Sequence, residues 1–151
     1  MNEISKDASG LFTRSVFRVA LPNVTPVWNQ VAPWFEPIFA ERPTHNAHDV
    51  WKIIMSEQAQ LWVQWCQDQQ RIESAFVTEF GVYPRGVWVR IWLGAALPKT
   101  NVEYSLIQAA MSEWARTHGA RGFEIIGRHG WLHKFPEAKV EGLAMRVTFD
   151  G

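Results

Sequence analysis

Residues 87–127 constrain the chain most. "VWVRIWLG" (87–94) is apolar on both sides, with Val87, Val89, Ile91 and Leu93 on one face and Trp88, Arg90 and Trp92 on the other. A strand of this kind is covered on both faces and lies inside a sheet. It passes through a short loop, "GAALPKTN", into a stripe where Leu106, Ile107, Ala110, Met111 and Trp114 recur at three and four residues. That spacing marks a helix with one buried face over 102–118. Gly119 suits the left-handed residue just past the helix, and "GFEIIG" (122–127) reads as another strand. Strand, helix, strand in this order predicts a crossover and a parallel pair of strands.

The flanking segments read as mostly antiparallel. "SVFRVAL" (15–21) is a short strand stopped by Pro22. Val27, Val31, Trp34, Phe35 and Ile38 have helical spacing, but Pro26, Pro33 and Pro37 predict broken helical turns. "THNAHDVWKIIMSEQ" is a cleaner helix, with Asn46 as its cap, Asp49 in its first turn and Trp51, Ile54 and Met55 on one face. "QLWVQWC" (60–66) and "IESAFVTEF" (72–80) form an antiparallel pair, and "GVYPRG" turns the chain into the strand at 87–94. "RHGWLHKF" is a loop leading into a helical turn, and "KVEGLAMRVTFD" is an extended closing stretch, split near Gly142. The expected class is α/β (α+β), a twisted mixed sheet flanked by helices. Residues 1–15 read as a flexible or partner-bound arm and 16–151 as a single domain.

Composition narrows the function. The 151 residues suffice for one domain with a sizeable core. Fifteen basic and fifteen acidic residues give no net charge, which argues against a nucleic-acid groove. Cys66 is the only cysteine, so no disulfide framework is expected, and no apolar run reaches the roughly 18 residues of a membrane span. A reducing compartment is the expected setting. Nine tryptophans are many for a core this small, so some are expected at an interface or groove. Trp28 and Trp34, with Leu11 and Phe12 in the arm, are the candidate partner-binding anchors; a tryptophan-rich core is the alternative.

The element order resembles the GNAT-like N-acetyltransferase fold over nearly all the chain after Ser15. Within it, "YPRG", the long helix ending in Gly119 and "EIIGRHGW" are similar to small GNAT-like proteins of tailed bacteriophages. The resemblance implies a GNAT fold and two possible roles. One is a protein acting mainly by binding, as a virion or virion-assembly component without efficient catalysis, with virion proteins or its own copies as partners and a location in the virion or host cytoplasm. The other is an acetyl-CoA-dependent N-acetyltransferase acting on a small amine or a host protein.

In active members the turn after the fourth strand has the form Q/R-x-x-G-x-G/A, and its amides hold the coenzyme A pyrophosphate. Here Gly94, Ala95, Ala96 and Lys99 would be the contacts. The second glycine is missing, Pro98 has no N–H, and Thr100 with Glu103 spells a capping box that would occupy the helix's own donors. No cofactor is therefore expected in the binding reading, and acetyl-CoA in the enzymatic one.

For the enzyme, Glu79 is the candidate base, with Tyr83 and His129 as further catalytic candidates; Glu79 also reads as a solvated strand-end carboxylate. Arg90 and Arg128 are cleft candidates, and Arg90 equally reads as a structural ion pair with Glu79 or Glu124. His129 titrates near neutrality but also reads as a solvated loop side chain. His45 and His48, like His129 and His133, lack a carboxylate at ligand spacing, so no metal is expected.

Overall fold

The apolar stretches assemble into a mixed sheet whose two faces are covered by different helices. The computed structural model describes the backbone of residues 3–6, and residues 13–127, 134–135, 137–142 and 145–149. Among these, the sheet has six strands in the order β1 (Glu3–Lys6), β2 (Thr13–Arg18), β3 (Ala59–Cys66), β4 (Arg71–Tyr83), β5 (Gly86–Ala96) and β6 (Phe123–Ile125). The first five pair antiparallel, and β5 pairs with β6 in parallel, from Val89↔Phe123 to Ile91↔Ile125. The crossover between them is α3 (Tyr104–Thr117), which buries Leu106, Ile107, Ala110, Met111 and Ala115. Trp114, expected in the buried stripe, is only partly buried.

Part of the stretch read as an arm is sheet: Glu3–Lys6 pairs with Thr13–Val16 as the edge strand. Leu11 and Phe12 lie outside the described residues.

The broken helical turns are one helix. α1 (Leu21–Glu41) runs 21 residues, with Pro22 in its first turn and Pro26, Pro33 and Pro37 inside it. All four prolines are solvent-exposed, while Val24, Trp28, Val31 and Phe35 are buried on the opposite side. A proline ring pushes away the carbonyl four residues back, so prolines on the outer face favour the curvature of a helix wrapped round a core. α2 (Ala47–Met55) starts as expected at Asn46, whose Oδ1 accepts from Asp49 N (2.8 Å) while Asp49 Oδ2 accepts from Asn46 N (3.0 Å).

Two cores result. α1 and α2 cover Leu61, Val63, Ile72, Ala75, Val77 and Leu93. On the other face, α3 covers Val16, Trp62, Phe76 and Ile91. Ile91 and Leu93 thus lie on opposite faces, against the simple alternation. The cause is a bulge: Val77 pairs with Leu93 and Thr78 with Ile91, so Trp92 is the extra residue on β5.

No described tryptophan is fully exposed. Trp28 is buried (3% exposed), donates its indole N–H to Ala47 O (3.1 Å) and stacks on Phe35, so it is a core residue and not an exposed anchor. Trp34 is partly buried against the same core. No helix among the described residues is long and apolar enough to cross a membrane.

Candidate functional site

Register brings three charges into one row. Arg90 on β5 pairs with Glu79 of β4 on one side and Glu124 of β6 on the other. Its Nη1 donates to Glu79 Oε1 (3.0 Å), its Nε to Glu124 Oε2 (3.2 Å) and its Nη2 to the Tyr83 hydroxyl (2.9 Å). Tyr83 in turn donates to Glu124 Oε2 (2.9 Å). Burial alone would lower the Arg90 pKa, but the bonds to Glu79 and Tyr83 outweigh it and hold the guanidinium above its usual value. Two carboxylates against one guanidinium leave one net negative charge, on side chains that solvent still reaches. Glu79 Oε2 has no partner among the described residues.

Gly81 makes room for this cluster. A Cβ there would stand 3.0 Å from Glu124 Oε2 and 3.1 Å from Arg90 Nη2, so the crossing of side chains over β4 depends on its absence. The spacing Glu79, Gly81, Tyr83 on one face of a strand is the signal that sequence reasoning passed over.

Beyond the cluster, β5 and β6 part. Their pairing ends at Ile91/Ile125, with a last bond from Ile126 N to Ile91 O (3.1 Å), while β5 continues to Ala96 beside β4. Leu97 N donates to Glu73 O of β4, so by alternation Leu93 and Ala95 face β4, and Gly94 and Ala96 turn their peptide groups to the opposite, open edge. The strand continues past its expected end at Gly94, so that Ala95 and Ala96, expected in the loop, are its last residues.

The loop that follows is pinned from below. Gln64, fully buried on β3, donates to Asn101 O (2.9 Å) and accepts from Glu103 N (2.8 Å). Gln64 also donates to Glu73 (3.0 Å), which pairs with Arg14 (2.8 Å) in a nearly dry ion pair. Lys99, at a φ of 62°, is exposed.

The expected capping box does not form. Thr100 Oγ1 donates to Leu97 O (2.7 Å), and Glu103, which is the N-cap, makes no side-chain bond to the first turn. Its carboxylate lies near Asn101 Nδ2 (3.3 Å) and 4.0 Å from Arg14 Nη1. Tyr104 N is taken by Val102 O and Ile107 N by Glu103 O, so the Ser105 and Leu106 amides have no acceptor among the described residues. The start of α3 therefore offers two free N–H groups at the positive end of the helix dipole. Pro98 keeps its disadvantage, no side-chain cap occupies the first-turn amides, and the Glu103 carboxylate at the N-cap is a negative charge only partly offset by Arg14.

Arg128 and His129 lie outside the described residues. Among the described residues, no group of three or more His, Cys, Asp or Glu side chains is arranged to hold a metal.

No protein-family model and no curated protein matches the chain. Solved structures do. An aminoglycoside acetyltransferase from an uncultured soil metagenomic sample, in complex with trehalose, superposes with a TM-score of 0.66 at 13% identity, covering 91% of this chain and 97% of that one. A probable acetyltransferase gives 0.66 at 7% identity, covering 89% and 99%. The ribosomal-protein-alanine N-acetyltransferase of Brucella melitensis biovar Abortus 2308 gives 0.63 at 7%, covering 91% and 99%. The protein has the GNAT-like acetyltransferase fold.

Proposed function

We propose that the protein is an acetyl-CoA-dependent N-acetyltransferase whose acceptor is a cationic amine on a small molecule or a protein. One observation carries the reading: the open peptide edge of β5 leads, through the short loop that Gln64 pins, to the uncapped first turn of α3. The amides of Ser105 and Leu106 would hold the pyrophosphate, with Lys99 adding a cation. Peptide groups of Gly94 and Ala96 would hydrogen-bond an extended chain laid along the strand. Bound acetyl-CoA supplies an acetyl group activated as a thioester. The net negative charge of the Arg90 cluster would draw in an ammonium, and Glu79 Oε2, fixed by Arg90, would take one proton from it. The free amine would then form the C–N bond as the thioester C–S bond breaks, the second proton passing through water to the departing coenzyme A thiolate. The acetyltransferases among the fold neighbours support this reading.

The competing reading is a GNAT-fold protein that works by binding, within a virion or another assembly. The missing second glycine, Pro98 and the exposed side chains of Met145, Val147 and Phe149 favour it.

The test is thiol release from acetyl-CoA in the presence of aminoglycoside, polyamine and peptide amines. Turnover is expected with at least one class, and Glu79→Gln should lower it by about 10²–10⁴-fold while leaving acetyl-CoA affinity unchanged. No release above blank with any class would contradict the enzyme and favour the binding role.

A further inference from the structure

A cavity of about 390 Å³ opens at the end of the sheet where β2 stops and β3 begins, away from the carboxyl end of β5. Its floor is apolar, from Val24, Ile54 and Leu61, and Phe80 and Trp114 stack on one another in its wall (5.2 Å between centroids). Arg18 and Glu57 stand among its lining with opposite charges.

One largely buried polar side chain in that wall keeps a donor that no described protein group meets. Gln60 is 8% exposed and lines the cavity. Trp62 Nε1, which can only donate, donates to Thr78 Oγ1 (2.9 Å); the single Thr78 proton then goes to Gln60 Oε1 (2.9 Å). This relay of buried donors fixes the orientation of the amide. Gln60 Nε2 is left without an acceptor among the described residues. Because Gln60 lines the cavity, that donor is available there to water or to a ligand.

We infer that this cavity is a second ligand site, which takes a small apolar, ring-bearing molecule with one planar acceptor oxygen, seated on Gln60 Nε2. The volume lies at the lower end of the roughly 300–1,000 Å³ typical of small-molecule sites. Arg18 and Glu57 offset one another, so a neutral carboxamide fits at least as well as a carboxylate. The site is independent of the acetyl-transfer reading, because it uses none of the same residues.

Phenylacetamide and phenylacetate, titrated separately into the ¹⁵N-labelled full chain, are the probes. Phenylacetamide should move the Gln60 side-chain amide and the Trp114 indole signals saturably, with or without similar binding of the acid. Gln60→Leu should weaken binding about fivefold to tenfold, the worth of one hydrogen bond. Leu21→Trp, at the half-exposed cavity edge, should block binding by filling the space while leaving the Thr78 relay intact. If neither probe binds, or the amide binds equally to both variants, the inference fails. Binding of the acid alone would place the contact on Arg18 or His118, which also line the cavity, and overturn the assignment to Gln60.

Discussion

Arg14 and Glu73 are 5% and 1% exposed, so each is the other's main substitute for water. Hydrogen bonding to Glu73 raises the Arg14 pKa despite its burial. Removing one partner of such a pair typically costs about 3–5 kcal/mol, whereas an apolar replacement of both is often neutral. Arg14→Met should therefore destabilise by about that much in a denaturant melt, and adding Glu73→Leu should recover most of it. Tyr104 makes a second prediction at this scale. Burial raises its pKa above the ordinary 10.0. The neutral phenol is favoured in the folded state, so its contribution is complete below pH 10 and is lost as the pH rises through the raised value. Tyr104→Phe should remove this part of the alkaline destabilisation; an unchanged alkaline limb would contradict it. The Arg90 cluster was legible in the sequence, because a guanidinium on a covered strand demands carboxylates and Glu79 and Glu124 lie on the adjoining strands. The Arg14–Glu73 pair was not. Glu73 is brought inward by a register shift between Gln64 and Trp65, which leaves no local pattern.

At the scale of elements, α3 and the parallel β5–β6 pair could be read directly, since a 3.6-residue stripe between two apolar strands has few alternatives. α1 could not, because three interior prolines disfavour a helix locally and only the packing turns all four rings to solvent. The bulge at Trp92 was equally hidden: strict alternation gives Ile91 and Leu93 the same face, and only pairing with β4 separates them. The bulge sets which face every residue from Leu93 to Ala96 occupies. Deleting Trp92 should leave Leu93 in its core, because the pairing of Val77 with Leu93 and of Thr78 with Ile91 then becomes regular, and should lower the melting temperature about as much as Trp92→Ala. A far larger loss on deletion would mean that the bulge itself, and not only the packing of Trp92, is required. Met111, fully buried on α3, gives a plainer check: Met111→Ala should cost about 2–5 kcal/mol.

For the whole molecule, the two helical layers cover the sheet unequally in what they leave open. On one side of β5 the ladder is complete through β4; on the other it stops at Ile91, and the freed edge runs to the first turn of α3. In the proposed function this edge and those two amides bind acetyl-CoA. Calorimetric titration of acetyl-CoA into wild type and Ser105→Pro tests it most directly, since proline in a first turn removes one amide while the helix tolerates it. Saturable binding to the wild type, weakened at least about tenfold in Ser105→Pro with the fold intact, is the predicted result. No saturable binding to the wild type, or equal affinity in the two proteins, would contradict it.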